Sequence, residues 1–80
     1  MAYVDMLKTF VRVYELGSMS AAARDLRVSA AVSSSRISDL EKSLGVRLFN
    51  RTTRSLRATA HGELFYKGAI KILDTIREVE

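Results

Sequence analysis

Between Gly17 and Gly62 the sequence changes its pattern, and the order of these patterns constrains the fold more than any other feature. Two short segments rich in helix formers come first, and a basic segment with the two-residue period of a strand follows. Helix, turn, helix and hairpin is the order that a winged helix-turn-helix requires. We therefore predict a mainly α-helical fold, with a three-helix core and a two-stranded β wing, followed by a long linker helix.

Three helices are expected before the wing. Apolar residues at helical spacing predict the first, from about residue 4 to Leu16, where Gly17 can end it. Ser18 or Ser20 can cap the second, and Ser29 can cap the third, which should end at Gly45. The inner face of the third helix is expected to carry Ile37, Leu40 and Leu44.

The wing is predicted from Val46, Leu48 and Leu56, which should anchor two short strands joined across residues 51–54. Thr59 can then cap a last helix. We expect residues 1–59 to form the winged helix-turn-helix domain and residues 60–80 to form a linker helix. Its apolar residues are either internal core or a dimer interface, and we favour the interface: Leu64, Phe65, Ile72, Leu73, Ile76 and Val79.

Charge is concentrated in one part of the chain. The net charge is +4 in 80 residues, and the segment 42–62 contains five basic residues and no acidic one. Such a local positive field favours polyanionic partners, among them nucleic acid. A solvated run of charge is the alternative interpretation.

No feature of the sequence indicates catalysis. Cysteine is absent, His61 is the only histidine, and the glycines do not have phosphate-loop spacing. Asp39 and Glu41 do not face each other on a helix, so Glu41 is expected to pair with a basic neighbour. No run is long enough to span a membrane, and no signal peptide is recognisable. We expect a soluble, cytoplasmic protein without cofactor or metal that is not an enzyme.

Small and hydroxyl-bearing residues at the start of the third helix suit the major groove of DNA. Serine hydroxyls can bond to bases or phosphates, alanine methyls can contact thymine methyls, and Arg36 can reach a guanine or a phosphate. Serines that merely solubilise the helix are the alternative. The candidate DNA contacts on the third helix are Ala30, Ala31, Ser34, Ser35, Arg36 and Ser38, and those on the wing are Arg51, Thr52, Thr53 and Arg54.

Almost the whole chain resembles the N-terminal DNA-binding domain of LysR-type transcriptional regulators. The resemblance rests on residues at fixed spacing, above all the pairs Leu40-Glu41 and Leu48-Phe49 with Arg51: Phe10, Gly17 to Ala23, Leu26, Val28, Ser29, Ser34, Ile37, Leu40, Glu41, Leu44 to Arg54, Thr59 and Gly62. It implies a bacterial transcription factor that binds a pseudo-palindromic operator as a homodimer, with a tetramer as a further option for the full-length protein. It also implies that a small-molecule effector binds to a separate domain absent from this chain. Three further DNA contacts are implied by the resemblance: Ser18, Ser20 and Ser29.

This chain departs from the family pattern at three places on the third helix. Ala30 and Ala31 stand where the family often has Gln and then Pro or Ser, which removes a possible adenine contact. Ser33 stands where an apolar residue usually packs inward, while Val32 comes one place early, so the buried hydroxyl needs a partner such as the carbonyl oxygen four residues earlier. Ser35 replaces a frequent basic residue, which removes one phosphate contact.

Two other functions are consistent with such a chain. A winged helix can serve as a protein-interaction module without binding DNA. The basic wing, which lacks acidic residues, argues against it. A membrane-surface helix at residues 60–80 is the third option, and the acidic residues of that segment argue against it.

Overall fold

The computed structural model describes residues 2–52 and 55–80. It contains four helices and one antiparallel hairpin in the predicted order: α1 (Ala2–Leu16), α2 (Met19–Leu26), α3 (Ala30–Leu44), β1 (Phe49–Arg51), β2 (Leu56–Ala58) and α4 (Ala60–Val79). The predicted winged helix-turn-helix architecture is confirmed.

Hydroxyl caps define where α2, α3 and α4 begin. The Ser18 hydroxyl accepts a hydrogen bond from the Ala21 backbone N–H at 3.1 Å, so Ser18 and not Ser20 is the cap of α2. Ser29 caps α3 through the Val32 N–H, and Thr59 caps α4 through the Gly62 N–H. Each cap satisfies a backbone donor that the first turn of a helix leaves without a partner.

The turn between α2 and α3 contains a non-glycine residue in the left-handed region. Arg27 has φ 60° and ψ 43°, and its N–H closes α2 by donating to the carbonyls of Ala23 and Arg24. Only glycine enters this region without a steric penalty, so the turn holds Arg27 in a strained conformation.

The wing begins later than the sequence suggested. β1 pairs with β2 in the register Phe49 with Ala58, Asn50 with Arg57 and Arg51 with Leu56. Val46 and Leu48 therefore precede the strand, and their prediction as strand residues was wrong. Leu48 is fully buried because its segment crosses α4: a Cβ on Gly62 would collide with the Leu48 carbonyl oxygen.

Phe10 lies at the centre of the core. Its ring is fully buried, and its centroid is 5.3 Å from the centroids of both Phe49 and Phe65. Leu7 of α1 and Ile37 and Leu40 of α3 belong to the same fully buried core. One aromatic side chain thus joins α1 to the wing and to α4.

Two tyrosines join α1 to α4 at the surface by ring stacking and hydrogen bonds. The rings of Tyr14 and Tyr66 stack with centroids 3.9 Å apart and planes 12° from parallel. Tyr14 Oη donates to Glu63 at 2.7 Å, and Tyr66 Oη donates to Glu15 at 2.6 Å. The bond to Glu15 raises the pKa of Tyr66 to about 12, so this phenol remains a donor throughout the physiological pH range.

Ser33 is buried in the apolar core. It is 0% exposed, and within the described residues its Oγ has no hydrogen-bond partner. The expected bond to the carbonyl oxygen four residues earlier, that of Ser29, was wrong, because Ser33 Oγ donates to no acceptor among the described residues. Val32, by contrast, is 39% exposed.

We predict that Ser33→Ala stabilises the domain. Removing a buried hydroxyl without a partner should raise the free energy of unfolding by about 1 kcal/mol. Urea denaturation monitored by circular dichroism measures it, with Ser43→Ala, at an exposed position of the same helix, as the control for helix propensity. A destabilised Ser33→Ala variant would contradict the assignment of an unsatisfied hydroxyl.

Candidate nucleic-acid interface

The start of α3 exposes a continuous surface of small side chains. Ser29, Ala30, Ala31 and Ser35 are exposed, and Ser34 and Ser38 are half-buried. The opposite side of the helix faces the core through Ser33, Ile37 and Leu40. The residues predicted to contact DNA on this helix, Arg36 apart, therefore lie away from the side that packs on the core.

Arg36 lies on a different side of α3. Its Nη1 donates to Thr9 Oγ1 on α1 at 3.4 Å, and the residue is half-buried. Thr9 itself is fully buried and donates to the Asp5 carbonyl at 2.8 Å. The structure thus directs the Arg36 guanidinium towards α1.

The wing places Arg51 beside α3. Arg51 is exposed at the end of β1, and its Nη1 donates to Ser34 Oγ at 3.3 Å. Thr52 closes the turn through its backbone N–H, which donates to the Ser55 carbonyl at 2.9 Å. The two remaining wing candidates, Thr53 and Arg54, lie outside the described residues. The Arg51 to Ser34 bond makes the wing and the start of α3 one continuous surface.

Glu41 fixes the segment that leads into the wing, a role that the sequence analysis missed. Its Oε2 accepts hydrogen bonds from the backbone N–H groups of Leu48 and Phe49, at 2.8 and 3.2 Å. The expected basic partner is Arg47, whose Nε lies 3.8 Å from the same oxygen. In the sequence, the fixed spacing between Glu41 and the apolar pair 48–49 was the only feature that could have indicated this contact. The Glu41 carboxylate is 10% exposed, so its negative charge lies beneath the surface, whereas Arg47 is 67% exposed.

Thr59 completes the attachment of the wing. Besides capping α4, its hydroxyl donates to the Arg47 carbonyl at 2.7 Å, and its backbone N–H donates to the Leu48 carbonyl at 2.9 Å. The segment 46–48 is therefore held from α3 on one side and from the start of α4 on the other.

The second helix presents hydroxyls at its beginning. Ser20 is exposed, and Ser18, which caps the helix, is half-buried. A capping hydroxyl accepts from the backbone and retains its own proton, so Ser18 can still donate to a phosphate oxygen. The positive end of the helix dipole at this position favours an anion in the same place.

The six apolar residues proposed for a dimer interface on α4 differ in burial. Leu64, Ile72 and Val79 are 69%, 47% and 80% exposed. Phe65 and Leu73 are half-buried against the core of the chain itself, and Ile76 is half-buried. Leu64 and Ile72 line an apolar groove of about 430 Å³ with Leu44 and Val46, and exposed His61 lies at its edge.

Other classes of site have little support in the described ranges 2–52 and 55–80. No three His, Asp or Glu side chains converge there on a point that could hold a metal ion. No helix in this part of the chain is long and apolar enough to cross a membrane.

Comparisons with known proteins agree with this geometry. Residues 4–63 match the family model of the bacterial regulatory helix-turn-helix proteins of the lysR family. The chain is 40% identical over 73 residues to the HTH-type transcriptional activator AaeR of Escherichia coli K12 and 46% identical over 74 residues to an HTH-type transcriptional repressor of Pseudomonas aeruginosa. These alignments cover 91% and 92% of this chain but only 24% and 23% of those proteins, so the chain spans about a quarter of their length.

Solved structures resemble the chain over nearly its full length. It superposes on the DNA-binding domain of CbnR, crystallised in complex with DNA, with a TM-score of 0.92 at 37% identity. The alignment covers 95% of this chain and 87% of that one. The DNA-binding domain of BenM in complex with benA site 1 DNA gives a TM-score of 0.90 at 34% identity, covering 95% and 85%.

We predict that Glu41→Ala loosens the wing. Two buried N–H groups would lose their acceptor, which should lower the free energy of unfolding by about 2 kcal/mol, whereas Glu41→Gln keeps an acceptor oxygen and should cost less. Hydrogen exchange at the amides of Leu48 and Phe49 reports the local effect directly. Unchanged exchange at both amides in Glu41→Ala would refute the role of this carboxylate.

Proposed function

The chain belongs to the LysR family of bacterial regulatory helix-turn-helix proteins, and from this premise we propose how its surface reads DNA. The start of α3 enters the major groove, while Arg51 and the hydroxyls of α2 bind the phosphate backbone and set the register. The observation that carries the proposal is the hydrogen bond between Arg51 and Ser34, which joins the wing and α3 into one surface. The relatives are transcriptional regulators, which agrees with a binding domain and not an enzyme.

A protein-interaction module has less support than DNA binding. The described residues of the wing expose Arg51 and Arg57 and no acidic side chain, and such a basic surface suits a polyanion better than a general protein partner. The three most exposed large apolar residues of the described part of the chain, Leu64, Ile72 and Val79, lie on α4.

We further propose that α4 is the dimer interface. Leu64 and Ile72 leave an apolar surface in water that a second copy would cover. A two-fold dimer presents two copies of α3 and therefore requires a pseudo-palindromic operator. On this proposal residues 1–59 contact DNA and residues 60–80 hold the two copies together.

The proposed DNA binding also implies a cellular location. A bacterial regulator reads chromosomal DNA, so we place it in the cytoplasm. In a regulator as long as the relatives, effector binding and assembly into a tetramer would belong to the part outside this chain.

The experiment that tests the proposal is fluorescence anisotropy with a duplex enriched from a random pool and with a scrambled duplex. We expect Arg51→Ala to weaken binding to both duplexes alike by about 1 kcal/mol and to reduce the salt slope by about 0.9. Ser34→Ala should act mainly on the enriched duplex. Arg77→Ala removes an exposed arginine on α4 and serves as the matched control. Enrichment of no sequence at all would refute sequence-specific binding.

Replacing Leu64 and Ile72 by serine should abolish the dimer. Serine is tolerated at exposed positions, so the fold should persist while the apolar contact between copies is lost. Sedimentation equilibrium measures the mass, and Leu16→Ser, at a 42% exposed apolar residue of α1, is the control. A double variant that still sediments as a dimer would show that Leu64 and Ile72 do not form the interface.

A further inference from the structure

Gly68 is the glycine that the fold of the chain itself does not require. The other three each have a structural reason: Gly17 and Gly45 have positive φ values, of 69° and 71°, and the Leu48 backbone crosses Gly62 closely. Gly68 lies inside α4 without a positive φ, and no heavy atom of the described residues would lie within 4 Å of a Cβ built on it. A larger residue would therefore find open space at this position.

A glycine inside a helix lowers the stability of that helix. Apart from proline, glycine is the least favourable residue for a helix interior, because its backbone loses the most conformational freedom on folding. α4 has 20 residues, and Gly68 lies near its middle, where this loss cannot be avoided by fraying. No contact within the described residues uses the bare backbone at Gly68, so the folding of a single chain does not account for it.

Gly68 is also at the centre of an uncharged surface along α4. Residues three or four positions apart share one face of a helix, and six exposed residues follow this spacing. None of the six is Asp, Glu, Lys or Arg, although α4 carries six such residues elsewhere. One uncharged seam beside charged residues is typical of a helix that packs against a second helix. We call these residues the outward stripe: His61, Leu64, Gly68, Ile72, Thr75 and Val79.

The outward stripe is symmetric about Gly68. Leu64 and Ile72 lie four residues before and after it, and His61 and Thr75 lie seven residues before and after it. A two-fold axis at Gly68 that reverses the helix direction would set Leu64 of one copy against Ile72 of the other, and His61 against Thr75. Apolar side chains then meet apolar side chains, and an imidazole meets a hydroxyl. The surface therefore fits a second copy of this chain.

We propose that Gly68 is the point of closest approach between two α4 helices, which cross there backbone against backbone. The inference rests on the proposed dimer interface and names the residue that lets the two helices come together. Helix axes pack about 8–10 Å apart, depending on the side chains at the contact. A bare backbone at the crossing permits the short end of this range, so Leu64 and Ile72 of both copies can close around it.

Gly68→Leu tests the close approach. Leucine is a good helix former and has open space at this position in the single chain, so the fold should persist, which circular dichroism verifies. Between two copies the added side chain should force the helices apart and raise the dissociation constant of the dimer by about tenfold or more. Sedimentation equilibrium over a concentration series measures this constant.

Lys67→Leu is the matched control for that variant. It adds the same side chain at an exposed position of the same helix, one residue away and outside the outward stripe. Substitutions at such surface positions have small effects, so the dissociation constant should stay within about twofold of the wild-type value.

A cysteine at position 68 tests the geometry. The chain has no cysteine, so Gly68→Cys introduces a single thiol in each copy. A disulfide requires two Cα atoms within about 7 Å, a distance that two helices reach only where their backbones approach closely. We expect mild oxidation to convert Gly68→Cys to a covalent dimer on a non-reducing gel. Lys67→Cys should link poorly, and so should Ile72→Cys, because reversed helices place its two copies about 12 Å apart along the axis.

The outcomes separate this inference from the proposed interface. The crossing at Gly68 is overturned, and the α4 interface stands, if Leu64 and Ile72 are needed for the dimer while Gly68→Leu dimerises as tightly as Lys67→Leu and Gly68→Cys links no faster than Lys67→Cys. Efficient linking of Ile72→Cys by itself would overturn the reversed pairing about Gly68. A wild-type chain that sediments as a monomer at every concentration would overturn both the interface and the crossing.

Discussion

The packing of Phe10 is the interaction on which the rest of the structure depends. This ring contacts Phe49 at the start of the wing and Phe65 on α4, while its own helix packs on α2 and α3. A small domain has one core, so a single aromatic residue at its centre can set the relative positions of several elements. The reading surface and the proposed dimer helix are therefore oriented by the same residue.

Hydrogen bonds from Glu41 and Thr59 fix the position of the wing relative to the apolar core. Glu41 holds the backbone N–H groups that lead into β1, and Thr59 holds the carbonyls of Arg47 and Leu48 from the other side. Hydrogen bonds are directional, so they fix the wing in a way that non-directional apolar contact does not. Arg51 consequently reaches Ser34 on α3, and the wing and the helix present their groups to one ligand.

Positions 32 and 33 invert the pattern expected for a helix that packs on a core. An apolar side chain at 33 and a polar one at 32 would suit the helix better, since Ser33 Oγ, within the described residues, has no partner and Val32 is partly in water. Arg27, in its strained left-handed conformation, lies three residues before the start of the same helix.

The sequence alone determined the elements and the three helix caps, apart from the choice between Ser18 and Ser20, because capping and periodicity depend on neighbours within a few residues. It also identified the exposed residues of α3 and the buried serine. Only the tertiary structure decided that Glu41 holds the wing, that Arg36 turns towards α1, that the strand begins after Leu48, and that Phe65 belongs to the core of its own chain. These outcomes depend on contacts between residues far apart in the chain, and their distances arise only when the helices pack together.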